Sequence, residues 1–226
     1  MNKNLILITI LSFLNVNILQ SQLKETSVYG LISCYRDVGF ENNGFGATEI
    51  GINFLNNEWI SSEIGINYTF GKLEDVMIIN TVDPNFSPES ITETRINGVF
   101  GNVGPKLSFD KKESNVWFFF TPKMHFGNSK IKKDYFELSD ERNRNNLIES
   151  VNSNEAQLFF SFSIGLEGYL GDSEKILLSF SIKYTTLQLR DQILATKFVD
   201  TSTHLQAENT QALGIALKIS YKPLLK

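Results

Sequence analysis

The side chains best placed to do chemistry in this chain are two histidines, one cysteine and a set of charged residues recurring at even spacing. His125 lies two residues from Lys123, with Ser129 and Glu137 downstream. A Ser–His–carboxylate hydrolase needs those three types to converge in space. Their separation along the chain does not impose convergence, so His125 reads as an interior group and the chain as a non-enzyme. His204 falls in a polar stretch without a second histidine at ligand spacing. There is no glycine-rich phosphate loop, no His-x-x-x-His pair and no acidic calcium loop, so neither cofactor nor metal is expected. Cys34 is the single cysteine, which excludes an intramolecular disulfide and a cysteine-based zinc site. It reads as a small apolar strand residue. A formal charge of −4 and the lack of a basic, aromatic-interleaved patch argue against nucleic acid as a partner.

The charged set is Glu49, Glu63, Lys123, Glu167, Lys183 and Lys218. Each occupies the polar phase of a segment whose other phase is apolar, so their meaning depends on the segments that carry them. Ile50, Ile52 and Phe54 alternate with Glu49, Gly51 and Asn53. Past a short turn, Ile60, Ile64, Ile66, Tyr68 and Phe70 alternate with Ser61, Glu63, Gly65, Asn67 and Thr69. The word Glu-Ile-Gly-Ile-Asn occurs at 49–53 and again at 63–67, which makes two arms of one hairpin. The same period-two pattern, the signature of a strand, recurs at 116–126, 157–167, 176–185 and 212–221. Residues 27–35 and 95–109 add two weaker segments. The second changes phase near Phe100, where a β-bulge is expected.

Eight strands result, and their connections alternate in length. Residues 55–58, 110–115 and 171–174 are short; 36–44 is moderate; 73–93, 128–156 and 190–209 are long. Short turns at one end and long loops at the other are the pattern of an outer-membrane barrel, with the loops extracellular. The apolar phases run without a charge for about ten residues, the span of a tilted strand across a bilayer. Trp59, Tyr68, Phe70, Trp117, Tyr169 and Tyr221 fall near strand ends and are expected to form aromatic girdles. Strict alternation nevertheless turns Trp117 inward.

Residues 1–22 read as a cleaved signal peptide. Lys3 precedes the apolar run Leu5–Leu14, which Asn15 and Asn17 interrupt; that is the length of a secretory core and short of a spanning helix. Residues 23–226 then form one all-β domain, an eight-stranded antiparallel up-and-down transmembrane β-barrel in the bacterial outer membrane. The polar phase faces a bore only wide enough for side chains or one small ligand. Glu49 and Glu63 come close across their hairpin, so cationic neighbours are expected from Lys123, Lys183 or Lys218. The charged set is expected to close the bore. Partners are outer-membrane lipid and a protein met at loops 73–93 and 128–156, whose charges, including Lys132 and Lys133, are expected to be solvated. The function expected is a structural or interaction role through those loops. The alternatives are a narrow porin-like channel or transport-accessory barrel, and a soluble periplasmic β-barrel binding an apolar ligand.

Three further phrases, Gly104-Pro105-Lys106-Leu107, Gly165-Leu166-Glu167-Gly168-Tyr169 and Ile182-Lys183-Tyr184, give the chain a family look. It resembles the small porin-like outer-membrane barrels of the OmpA and OmpX type, and also PorT-type barrels associated with a secretion machinery. The resemblance implies a membrane-embedded barrel with a porin-like fold and transmembrane strands in the cell envelope.

Overall fold

The computed structural model describes residues 26–37, 44–55, 59–73, 76–79, 88–109, 115–139, 144–171, 174–198 and 212–223. The signal peptide expected over 1–22, and His204, lie outside these residues. The strands are β1 (Ser27–Asp37), β2 (Gly44–Phe54), β3 (Ile60–Lys72), β4 (Val76–Ile79), β5 (Pro88–Phe109), β6 (Val116–Ser139), β7 (Arg144–Tyr169), β8 (Ile176–Thr185) and β9 (Ala212–Tyr221), with one short helix, α1 (Arg190–Ala195), between β8 and β9.

Eight of these strands form a closed antiparallel ring. Each strand pairs with its neighbour in sequence, β3 pairs with β5, and β1 closes the ring on β9 through Val28–Tyr221 to Asp37–Ala212. Strand β4 stands outside the ring and pairs only with the start of β5. Closure removes the unpaired edges of an open sheet, and the alternating Ile, Leu and Phe sequence suits the pleat, which sends successive side chains to opposite faces. Local backbone conformation agrees at the short-turn end: Leu55, Gly171 and Glu174 have positive φ, as tight reversals require.

Register places Gly51 opposite Gly65 on the inner face. A Cβ on Gly51 would meet the Tyr29 ring and the Ile64 carbonyl at 2.5 and 2.3 Å, and one on Gly65 would meet the Tyr29 hydroxyl at 2.7 Å. The paired glycines therefore leave the space that the Tyr29 side chain fills, and the repeated Glu-Ile-Gly-Ile-Asn word has a packing reason.

Several expectations are corrected. Strand β5 has no bulge near Phe100; its even-numbered residues point inward without interruption from Ser90 to Ser108, and its register with β3 is continuous. The apparent phase change arises because Ile96 and Phe100 point into the bore and are apolar. Residues 128–156 are mostly strand: β6 and β7 stay paired from Val116–Gly168 to Ser139–Arg144, with a register shift at Tyr135/Phe136. The expected loop at 73–93 contains β4 and the start of β5. Within 190–209, α1 and its flanks are folded into the barrel mouth, so Leu187, Leu189, Ile193 and Phe198 are buried.

The strands of the ring are thus unequal. β5, β6 and β7 rise past the others on the loop side as a wall, with β4 against β5.

Candidate functional site: the barrel interior

The outer surface decides what surrounds the molecule. Outward-facing residues run from Val28 to Cys34, Gly46 to Phe54, Ile60 to Phe70, Val99 to Phe109, Val116 to Phe126, Leu158 to Leu166, Ile176 to Tyr184 and Leu213 to Tyr221 without one charged side chain. Ile50, Ile64, Phe118, Ile164, Phe180 and Ile215 are among many aliphatic and aromatic residues at least 50 % exposed on this belt. Above it the same strands turn polar outside, at Asn97, Asn128 and Asn154. A belt about ten residues tall on a closed ring matches a bilayer's hydrocarbon thickness, and only closure satisfies the backbone of strands in lipid. This is a small outer-membrane β-barrel. The arrangement is the reverse of a soluble barrel, whose apolar face is its interior.

The turn-end half of the barrel is filled by ion pairs. Lys123 Nζ lies 2.6 Å from Glu49 Oε1 and 2.7 Å from Glu63 Oε2, and donates to the Tyr29 hydroxyl at 3.1 Å. Tyr29 in turn donates to Glu49 Oε1 at 2.6 Å. Lys218 Nζ donates to Glu63 Oε1, and sits 4.3 Å from the centre of the Tyr29 ring. Lys183 Nζ is 3.7 Å from Glu49 Oε2. One lysine suffices to join Glu49 and Glu63 because both point inward on one hairpin, with Lys123 reaching them from the opposite wall.

Glu167 has a different partner. Lys106 Nζ donates to both its oxygens, at 2.6 and 2.8 Å, and Ser179 and Trp117 add donors at 2.7 and 3.2 Å. Sequence reasoning missed Lys106. Strict alternation carried back from Ser108 would have found it; the apolar Phe100 disguised the inward phase of that strand. The structure places Trp117 in this cluster, 1 % exposed, so it does not belong to the girdle. Its indole has a donor that a buried carboxylate satisfies. Trp59, Tyr68, Phe70 and Tyr221 do face outward, while Tyr169 is half-buried and packs edge-on against Trp117. Cys34 also faces out.

The loop-end half of the barrel is built otherwise. Leu73 at the end of β3 and Ile96, Phe100, Ile131 and Phe159 from β5, β6 and β7 pack with Leu187, Leu189 and Ile193 of the α1 segment. Polar contacts fix the segment's depth. Ser129 Oγ donates to Gln192 Oε1 at 2.5 Å, and Gln192 Nε2 donates to the carbonyl oxygens of Ser129 and Ser153 at 3.0 and 3.4 Å. Lys133 Nζ donates to the carbonyl oxygens of Ile193 and Thr196, the second at 2.6 Å. A cation on carbonyls at a helix C-terminus is where the backbone dipole favours it. Lys133, expected in a solvated loop, is instead buried, and burial pulls its ammonium down to about 8.

On the outside of the wall, Glu93 accepts from Arg95 and is paired with Lys72, which holds its carboxyl below the usual range. Asp134 is also held low: burial opposes ionisation, but Ser150 and Lys132 outweigh it with hydrogen bonds of 2.6 and 2.9 Å.

The histidine set does not assemble. His125 Nε2 is hydrogen-bonded to Ser161 Oγ at 2.8 Å, and its ring stacks on Phe159 at 4.6 Å. Ser129 is engaged with Gln192, and Glu137 lies exposed near the far end of the wall. No carboxylate hydrogen bond orients the imidazole among the described residues. Among those residues there is also no cluster of three metal-ligating side chains.

The barrel is similar to solved outer-membrane proteins. Neisserial surface protein A shares 9 % identity, with 87 % of this chain and 95 % of that one covered and a TM-score of 0.40. A major outer membrane protein from Thermus thermophilus shares 8 % over 86 % and 98 %, with a TM-score of 0.44. Ail, the attachment invasion locus protein of Yersinia pestis, shares 10 % over 87 % and 96 %, with a TM-score of 0.36. No protein-family model matches the sequence, and no curated protein matches it.

Proposed function

We propose that this is a sealed, non-conducting barrel that anchors a raised β-wall as an interaction surface outside the membrane. The observation that carries the reading is a contrast of lengths. β6 and β7 have 24 and 26 residues, whereas β8 and β9 have 10 each. A bilayer needs ~9–11 residues of a tilted strand, so more than half of β6 and β7 serves something other than crossing. The bore beneath is filled by side chains at two levels, which favours an anchor over the narrow-channel reading.

The wall carries apolar residues where a partner would meet them. A register shift between Tyr135 and Phe136 pairs them with Glu149 and Leu147, leaving Ile148 as the extra residue. Leu147 and Ile148 are both 54 % exposed near the hairpin tip. Adjacent exposed apolar residues far from lipid have no folding reason and suit a protein contact. This surface lies within the 128–156 stretch, with β4 and the start of β5 from 73–93 beside it, and extracellular sidedness follows from the long-loop end.

The test has two arms. In planar bilayers, folded protein is expected to give no conductance steps above background; regular ion-conducting steps would restore the channel reading. In cells, a photo-crosslinking residue at Leu147 or Ile148 is expected to give a discrete protein adduct. Labelling no different from that at Phe118, within the belt, would reject the wall as an interaction surface.

A further inference from the structure

The outward side chains above the belt carry charge of one sign. Strand register sets Arg36 of β1, Gly44 of β2, Lys72 of β3, Arg95 of β5, Lys132 of β6 and Asn152 of β7 in one cross-strand row. The row beneath it is Cys34, Gly46, Phe70, Asn97, Lys130 and Asn154. Together the two rows hold five cations and no carboxylate. Like charges on neighbouring strands repel. Lys72 and Arg95 converge on Glu93, at 3.2 and 2.9 Å, and Lys132 reaches Asp134 at 2.9 Å. Glu93 and Asp134 are partners in the next row up, so they offset the cations from the loop side. On the side facing the bilayer there is no acid among the described residues. The Lys72, Arg95 and Lys132 side chains stay 48, 53 and 43 % exposed. Their height is that of lipid headgroups: Arg36 and Lys72 are the first outward side chains above the belt on β1 and β3, where it ends at Cys34 and Phe70.

The same strands carry an apolar groove below the cationic row. It has a volume of about 940 Å³ and opens on the lipid-facing surface between Val28, Ile50, Ile52, Ile64, Ile66 and Phe126. Gly51, Gly65 and Gly101 line it and contribute no side chain. Ile66, Gly101 and Phe126 are cross-strand partners, six residues below Lys72, Arg95 and Lys132 on β3, β5 and β6. At ~3.4 Å per residue this is ~20 Å along a strand. A strand tilt of ~40° makes it ~15 Å of depth, half of the ~30 Å hydrocarbon core. An acyl chain hanging from a headgroup at the row reaches the groove.

We infer that this face is a binding site for an anionic, phosphate-bearing lipid of the outer leaflet. Lys72, Arg95 and Lys132 hold the phosphate, and the groove on β1, β2, β3, β5 and β6 holds an acyl chain. Ammonium and guanidinium groups give phosphate charge-assisted hydrogen bonds. The row lies at the loop end, which sets the leaflet. Charge selects the headgroup, and the groove separates a lipid from the free ion.

The test compares two lipids. The full chain, refolded and reconstituted in phosphatidylcholine vesicles, is probed by electron spin resonance with a trace of spin-labelled phosphatidic acid or spin-labelled phosphatidylcholine. The motionally restricted fraction is expected to favour phosphatidic acid by ~5-fold or more, the scale of one basic residue at an anionic surface. Lys72→Gln with Arg95→Gln, checked for folding by heat-dependent gel mobility, is expected to abolish the preference. Lys132→Gln alone is expected to weaken it and serves if the double variant does not fold. Lys175→Gln with Lys222→Gln removes the same charge at the turn end and is expected to leave the preference in place. Equal loss in the two double variants would assign the preference to net charge and overturn the inference, as would equal restriction of both lipids by the unsubstituted protein. Displacement of phosphatidic acid by inorganic phosphate at constant ionic strength would assign the row to the free ion and overturn it too.

Discussion

The two halves of the bore solve the same problem with opposite chemistry. At the turn end, Glu49, Glu63 and Glu167 meet Lys106, Lys123 and Lys218 in a lattice of short contacts. At the loop end, Ile96, Phe100, Ile131 and Phe159 meet an inserted segment through apolar packing. The turn-end half is assembled wholly from strands, whose backbone positions the ring fixes. The loop-end half needs a connecting segment to enter and stay, so it uses non-directional burial first and a few hydrogen bonds to set depth. Charge pairs need defined partners and tolerate no slippage, whereas an apolar cluster can accept a segment that arrives late in folding. The turn-end half should therefore fail globally when broken, and the loop-end half locally.

The largest effect is expected at Lys123. Lys123→Met leaves Glu49 and Glu63 facing each other without their shared cation, and breaking a buried pair costs ~3–5 kcal/mol. Urea unfolding in lipid, followed by heat-dependent gel mobility, should show a lower midpoint or no folded band at all. Adding Glu49→Gln and Glu63→Gln to the same chain should not recover the loss, because Lys183 and Lys218 are then buried without their carboxylates. A single substitution that leaves the midpoint unchanged would mean that the ring alone holds the turn-end half together.

A smaller global effect is expected at Phe100, though its cavity is large. Phe→Ala in a packed core costs ~3–5 kcal/mol when the whole fold depends on it. Here the α1 segment can undock while the ring persists, so the loss is expected to stay local. Limited proteolysis after Arg190 or Lys197 should speed up strongly, while the urea midpoint moves by less than in Lys123→Met. Equal shifts in both measurements would show that the two halves are one cooperative unit.

The contrast also explains what could be read from the sequence. Alternation places every strand of the ring, because lipid imposes an apolar outer phase and the turn-end interior imposes a polar inner one. Glu49, Glu63 and Lys123 were visible on that basis, and the structure joins them. Above the belt the rule has no lipid to enforce it, so β6 and β7 continue through Asn128, Lys130, Asn152 and Asn154 with polar residues on both sides. Such a stretch looks like a loop, because nothing in its hydropathy separates a solvated strand from a solvated coil. In β5 the interior itself turns apolar at Ile96 and Phe100, which mimics a phase shift and hides Lys106. The insertion of 187–198 leaves a fainter trace: Leu187, Leu189 and Ile193 are apolar at spacings that fit neither lipid nor solvent, and their partners are distant in sequence.

The smallest effect, and the one that separates the halves most cleanly, is expected at Lys133. Its ammonium is lowered to about 8 in the docked state, against ~10.4 for a free lysine. Between those values the undocked segment binds the additional proton, so docking gains stability as pH rises from about 8 toward 10.5. Below 8 both states are protonated and the burial cost is present in full. Proteolysis of the segment should therefore slow between pH 7.5 and 10, measured as the ratio to the rate for a control peptide, with ~50-fold as the upper scale of the change. In Lys133→Met the carbonyl oxygens of Ile193 and Thr196 lose their donor, an unsatisfied-acceptor cost of ~1–3 kcal/mol, and the pH dependence should vanish. A Met variant that keeps the slope would assign the titration to another group. A flat profile in the unsubstituted protein would mean that Lys133 stays hydrated and the cap is electrostatically idle. In either case the turn-end half, which has no exposed segment to undock, should show no change in its urea midpoint across the same pH range.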